Sequence, residues 1–219
     1  MTARPLLAAF GQALREAWAG GAGAVLPASF FAGAVMLVPL SVGNDAEQLS
    51  AVASGALWIA LALSSLVTME RLFQADLEDG ALELWLSTDV PVGAVAATKT
   101  IAHWLVSGLP LVLMSPLLEL VLGGEPSLRH AAAYGLGGLS FFFWGGMGAA
   151  LAASVRRGGL LIALIALPFY VPAAIFGAGA TALQSVNADP AFLFLTATTL
   201  ITFAISPFAM GAALRLSVD

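Results

Sequence analysis

Six long stretches of this chain contain no Asp, Glu, Lys or Arg, and each ends where charged residues resume. They are Ala17–Asn44, Gln48–Met69, Thr100–Leu118, Ala131–Val155, Gly158–Ala188 and Pro190–Leu214, none shorter than 19 residues. A helix rises about 1.5 Å per residue, so about 20 apolar residues cross the hydrocarbon core of a bilayer. Strands of a membrane barrel would alternate in polarity, and these runs do not. The pattern predicts an all-α polytopic membrane protein, a single transmembrane domain over 1–219. Its spans fall at about 21–41, 49–69, 99–121, 131–155, 159–181 and 190–214.

Only 10% of the residues are charged and 60% are hydrophobic, whereas a soluble domain carries about 25% charged residues. No stretch between the runs is long enough for a soluble core. The chain has no cysteine, which excludes disulfides, thiolate metal sites and cysteine nucleophiles. The net charge of −5 is scattered over short loops, and the basic face that nucleic-acid binding needs is absent.

Six crossings place both termini on one side. Arg4, Arg15, Arg71, Lys99, Arg156, Arg157 and Arg215 then share that side, and Arg129 faces the other. Basic residues accumulate on the cytoplasmic side, so the termini and the Met69–Asp89 insert are expected there. The outer loops are short: 44–48, 123–130 and about 183–190. The outer half of the fifth run, Phe176–Asn187, mixes Gly, Thr, Gln and Asn and reads as a short re-entrant or interfacial piece. Pro27, Pro39, Pro110, Pro116, Pro168, Pro172 and Pro207 point to kinked, movable helices. The small residues Gly145, Gly146, Gly148, Gly177 and Gly179 permit close helix packing. Ser115-Pro116 and Ser206-Pro207 hold matching places in two three-span halves, too little to establish a repeat.

Two segments outside the spans have helical pattern. From Pro5 to Trp18, Leu6, Leu7, Phe10, Leu14 and Trp18 form one stripe, which predicts an amphipathic helix in the membrane interface. Met69–Asp89 holds seven of the chain's 21 charged residues, yet Phe73, Leu77, Ala81 and Leu84 recur within it at helical spacing. A solvated loop needs no such stripe, so this segment reads as a docking element. Asp79-Gly80 is a turn signal that divides it into two short helices.

Ionisable residues at membrane depth are few. His103, one turn after Lys99, is a candidate proton relay or ligand, or simply an interfacial histidine bonded to a carbonyl or lipid phosphate. Glu119 reads as an interfacial anion near the outer end, and His130 as a solvated residue at a helix end. His103, Pro110, Ser115 and Pro116 are candidates for a translocation or other functional role. GxxxxGK[ST], HExxH and GxSxG are all missing, so the chain is not expected to be an enzyme or to hydrolyse ATP through a nucleotide loop of its own.

Met69–Asp89 is also where the chain becomes specific. ERLFQADLEDGALELWL (Glu70–Leu86), KTIAHWLVSGLPLVLMSPL (Lys99–Leu117), RRGGLL (Arg156–Leu161) and SPFAMGAALRL (Ser206–Leu216) resemble the CcmB-type haem exporter B family of bacterial cytochrome c maturation. The resemblance runs the whole length, and Phe73, Asp76, Asp79 and Gly80 are its most specific part. It implies an ABC-2-type permease of six transmembrane helices, with an N-terminal interfacial helix (5–18) and a cytoplasmic coupling segment (70–89). The implied function is haem export, or ATP-driven release of haem-loaded chaperone. Two copies would pair with a separate CcmA-type ATPase, beside CcmC-, CcmD- and CcmE-type partners. No cofactor is implied for the chain itself: haem enters as cargo, and ATP sits on the partner. The tryptophan-rich segment of the C-type partner is absent, so the isolated chain is not expected to hold haem.

In this reading Glu70, Arg71, Phe73, Asp76, Leu77, Asp79, Gly80 and Glu83 serve ATPase coupling. Phe73 and Leu77 enter an apolar groove on the ATPase, while Asp76, Asp79 and Glu83 meet polar groups at its rim. Rival readings are an ABC-2 permease for another hydrophobic cargo and a non-transporting scaffold that relays ATPase motion.

Overall fold

The computed structural model describes residues 3–19, 23–43, 45–155, 158–182 and 186–217. Asn44, Arg156, Arg157 and Leu183–Ser185, which serve as loop or topology markers in the sequence, lie outside the described residues, as does the side chain of Arg4.

Among the described residues the regular structure is helical throughout. Helix α1 (Ala3–Ala19) is followed by α2 (Val25–Val42) and α3 (Ala46–Leu66). The short pair α4 (Arg71–Glu78) and α5 (Ala81–Leu86) then precedes α6 (Val92–His103). A single π-helical turn, Trp104–Gly108, joins α6 to α7 (Leu109–Val121), and α8 (Leu128–Leu151), α9 (Gly159–Thr181) and α10 (Ala188–Leu216) complete the chain. Helix starts follow local chemistry. The Asp45 carboxylate accepts from the backbone N–H of Glu47 (2.9 Å) and of Gln48 (3.3 Å), and the Ser127 hydroxyl accepts from that of His130 (3.2 Å). These bonds satisfy amides that the first helical turn leaves without partners.

Five helical stretches are long and apolar enough to cross a membrane: Val25–Val42, Ala46–Glu78, Val92–Val121, Gly159–Thr181 and Ala188–Leu216. Helix α8 is not among them, although its 24 residues would reach about 36 Å. Its position explains the lower hydropathy. Fifteen of its residues are buried, and it packs against α7, α9 and α10, so α8 is the axis of the bundle and meets protein on most of its surface. Glycine can replace leucine there because neighbouring helices, not lipid, fill the space. The Trp58 ring of α3 fills a slot in which a Cβ on Gly137 of α8 or Gly177 of α9 would collide with it. Gly145 and Gly146 lie against Met69, Tyr170, Thr100 and Met210 in the same way. Outward, Leu37, Leu40, Leu164, Phe169, Leu200 and Ile201 leave α2, α9 and α10 with exposed apolar faces.

Two expectations change. Helix α9 continues regularly to Thr181, so Phe176–Thr181 is ordinary helix and not a re-entrant piece. The third helical rod begins at Val92, seven residues before the predicted start. Lys99 therefore lies about two turns inside a helix, and it is buried.

Candidate coupling site

After α3 the chain turns through shorter bonds, Met69 N–H to Leu66 (3.2 Å) and Arg71 N–H to Thr68 (3.3 Å), and enters α4. Leu72, Phe73 and Asp76 recur at helical spacing, and all three are buried. The Asp79 N–H closes α4 on the Ala75 carbonyl at 2.9 Å. Gly80 then takes φ 73° and ψ 7°, the left-handed region that a Cβ disfavours. That one residue divides the segment into the two helices expected from Asp79-Gly80. Helix α5 buries Leu82 and packs Trp85 with Leu6, Ala9, Val90 and Val95. The segment thus lies on the bundle by one face. Its exposed residues are Arg71, Ala75 and Glu78, on the side toward α1, and Asp79, Glu83 and Leu84.

This division corrects the roles expected for Phe73 and Asp76. Phe73 is 2% exposed and Asp76 5%, so neither can enter a groove on another protein while α4 keeps its place. Leu77 packs against the apolar core of the chain as well. Asp79 and Glu83 are exposed, while Glu70 is half-buried. The signal was present in the spacing. Asp76 follows Phe73 by three residues and so shares its face.

Asp76 is buried because Lys99 meets it. The Lys99 ammonium donates to both Asp76 oxygens, at 2.6 and 2.5 Å, and to Glu16 Oε2 of α1 at 3.0 Å. A buried ammonium requires such partners, since neither an isolated charge nor an unpaired donor is tolerated in a low-dielectric interior. One side chain of α6 thereby joins α1, α4 and α6. One turn on, His103 Nε2 lies 2.9 Å from Thr68 Oγ1, with its ring 5.8 Å from that of Phe142. His103 is therefore bound to the turn that leads into α4, a partner 35 residues away that no local pattern revealed. A cavity of about 440 Å³ opens beside these groups, with Glu16, Thr68, Arg71, Glu78, Lys99 and His103 in its wall.

Beyond His103 the rod changes pitch. In the π turn the Leu109 N–H bonds the Trp104 carbonyl, and Pro110 just after it has no N–H to offer. The Ser107 hydroxyl donates to the Gly23 carbonyl in the α1–α2 connection at 3.1 Å. Pro116 lies inside α7, and the buried Ser115 hydroxyl donates to the Leu111 carbonyl at 2.8 Å. Pro110, Ser115 and Pro116 thus shape the rod, away from the Lys99 cluster.

Glu119 and His130 form a second cluster at the far end of α7. His130 Nδ1 is 2.6 Å from Glu119 Oε1, and the Tyr134 hydroxyl donates to Oε2 at 3.1 Å. Glu119 is buried within the protein, and His130 is paired with it rather than solvated. Among the described residues no group of three or more His, Cys, Asp or Glu is arranged to hold a metal.

Comparison with known proteins bears on the whole length. Residues 4–217 match the family described as "CcmB protein". The "Heme exporter protein B" of Paracoccus denitrificans is 43% identical over 211 residues, 94% of this chain and 96% of that protein. Its namesakes in Pseudomonas aeruginosa (40% identical, 88% of each chain) and Escherichia coli K12 (38%, 94% of this chain and 96% of that one) are similar over nearly the same extent.

Proposed function

Since the chain belongs to the CcmB protein family, we propose that it acts as the membrane permease subunit of a haem exporter for cytochrome c maturation, powered by a separate ABC ATPase. It is a multi-pass membrane protein. We take α8 as a sixth span, shielded from lipid by its neighbours; its length and burial support this. Both termini are then cytoplasmic in a bacterial inner membrane, which the distribution of Arg15, Arg71, Lys99 and Arg215 against Arg129 favours.

The observation that carries the mechanism is the two-faced α4–α5 segment. Its inner face is fixed to the bundle through Leu72, Phe73, Asp76 and Leu82, and its outer face offers Asp79, Glu83 and Leu84. A surface held so firmly from behind can pass a push from an ATPase dimer to the helices as rigid-body motion. Helix α1, with Leu7 and Trp18 exposed, lies in the membrane interface beside it. The chain works as one of two copies, in company with CcmC-, CcmD- and CcmE-type haem-handling proteins. Haem is cargo of the assembly and not a resident group of this subunit. The histidines support that assignment, since His103 Nε2 is bonded to Thr68 and His130 Nδ1 to Glu119.

Co-purification of the tagged chain from native membranes, with mass spectrometry of what accompanies it, tests the proposal. Recovery of an ABC ATPase with haem-handling proteins is the expected result. An ATPase recovered with none of them would favour another cargo, and no ATPase at all would refute the permease role.

A further inference from the structure

We infer that Lys99 is the positioning residue through which the α4–α5 segment moves the interfacial helix and the third span, an inference that rests on the permease reading. Three elements converge on its ammonium, α1 through Glu16, α4 through Asp76, and α6 that carries it. The two carboxylates are not equivalent. Asp76 is buried and offers both oxygens, so α4 and α6 are tied tightly. Glu16 offers one oxygen at 3.0 Å, and its side chain is 38% exposed. Water can replace that contact, which makes α1 the element able to let go.

The surroundings allow movement. The cavity of about 440 Å³ lies between α1 and α4, with Ala13, Glu16 and Ala17 on one wall and Arg71, Ala75 and Glu78 on another. Close-packed interiors resist displacement, whereas here the two helices have room to approach across Lys99. Motion given to Lys99 also has a path onward. It sits on a rod that runs from Val92 to the π turn, where the Ser107 hydroxyl holds the Gly23 carbonyl ahead of α2.

The test uses the full chain expressed with its ATPase partner in membranes. Lys99→Met alone would leave Asp76 buried without a counter-charge, so the decisive variant is Lys99→Met/Asp76→Leu, because apolar pairs often replace buried ion pairs without loss of folding. That variant should insert and retain ATPase within about twofold of wild type, yet lose about tenfold in ATP-driven cytochrome c yield. Lys99→Arg, which keeps both partners, should restore most of the yield. Wild-type yield in the double variant would overturn the inference. Should the double variant fail to insert, Glu16→Leu decides, since that side chain is partly exposed: reduced yield with ATPase capture intact supports the inference, and unchanged yield overturns it. If the wild-type chain itself captures no ATPase, the permease reading falls first and takes this inference with it.

Discussion

Glu119 and His130 meet across the α7–α8 turn, Oε1 to Nδ1 at 2.6 Å, with the carboxylate buried. The neighbouring Arg129 reaches the other way, to Asp189 of α10 at 2.5 Å and over the Phe192 ring at 5.3 Å. Adjacent residues at the start of α8 therefore tie it to both α7 and α10 at the end opposite Lys99. Glu119→Ala removes the partner of His130 and of the Tyr134 hydroxyl together. A hydrogen bond to a charged group is worth about 1.5–3 kcal/mol, so a clear loss of thermal stability in detergent is expected, smaller for Glu119→Gln. An unchanged melting temperature in Glu119→Ala would show that the link contributes nothing to stability.

The slot that holds Trp58 supplies a packing test. The indole N–H donates to Thr181 Oγ1 at 2.9 Å while its ring lies against Gly137 and Gly177. Overpacking a filled core costs about 1–3 kcal/mol, and Gly177→Val should cost at least that. Gly135→Ala, on the same helix as Gly137 but with open space at its Cβ, should be neutral. Equal melting temperatures for the two variants would mean that Trp58 does not occupy the slot.

Gly80 is the hinge of the α4–α5 segment at φ 73°. Placing a branched side chain in the left-handed region costs about 1–2 kcal/mol, so Gly80→Val should swing α5 out of line without disturbing insertion of the spans. Reduced cytochrome c yield at normal membrane levels is the expected reading. Gly80→Asn should be milder, because Asn visits this conformation more readily.

Much of this architecture was legible in the sequence, and the limits have physical reasons. Five of the six apolar runs mark helices long and apolar enough to cross a membrane, because a bilayer sets that length, and Asp79-Gly80 marks the hinge because the conformation needs glycine. The central place of α8 was hidden, since a helix shielded by protein needs no lipid-facing leucine. Charge alone could not separate Asp76, buried on Lys99, from Glu83, exposed on the next helix. Their different fates depend on Lys99 of α6 meeting one and not the other. The Thr68–His103 and Glu16–Lys99 pairs join residues 35 and 83 positions apart. Lys99 was nonetheless a hint, as a lysine within an apolar rod must find a carboxylate.

Topology offers an independent check. Reporter fusions at Glu125 and Asn187 should read periplasmic, and one at Asp79 cytoplasmic. A periplasmic reading at Asp79 would put the coupling face on the side without ATP.

The most direct measurement is the amount of ATPase recovered per chain for variants of the two faces of α4–α5. Leu84 and Glu83 lie on the exposed face, and losing an anchor at an interface commonly costs tenfold or more in affinity, about 1.4 kcal/mol or above. Leu84→Asp/Glu83→Lys should therefore lower ATPase recovery by about tenfold at unchanged membrane level. Phe73→Ala opens a core cavity costing about 3–5 kcal/mol, so it should lower the amount of chain while the ATPase recovered per remaining chain stays near wild type. If instead Leu84→Asp/Glu83→Lys recovers ATPase normally and Phe73→Ala does not, the outer face of α4–α5 is not the docking surface, and coupling through that face is contradicted.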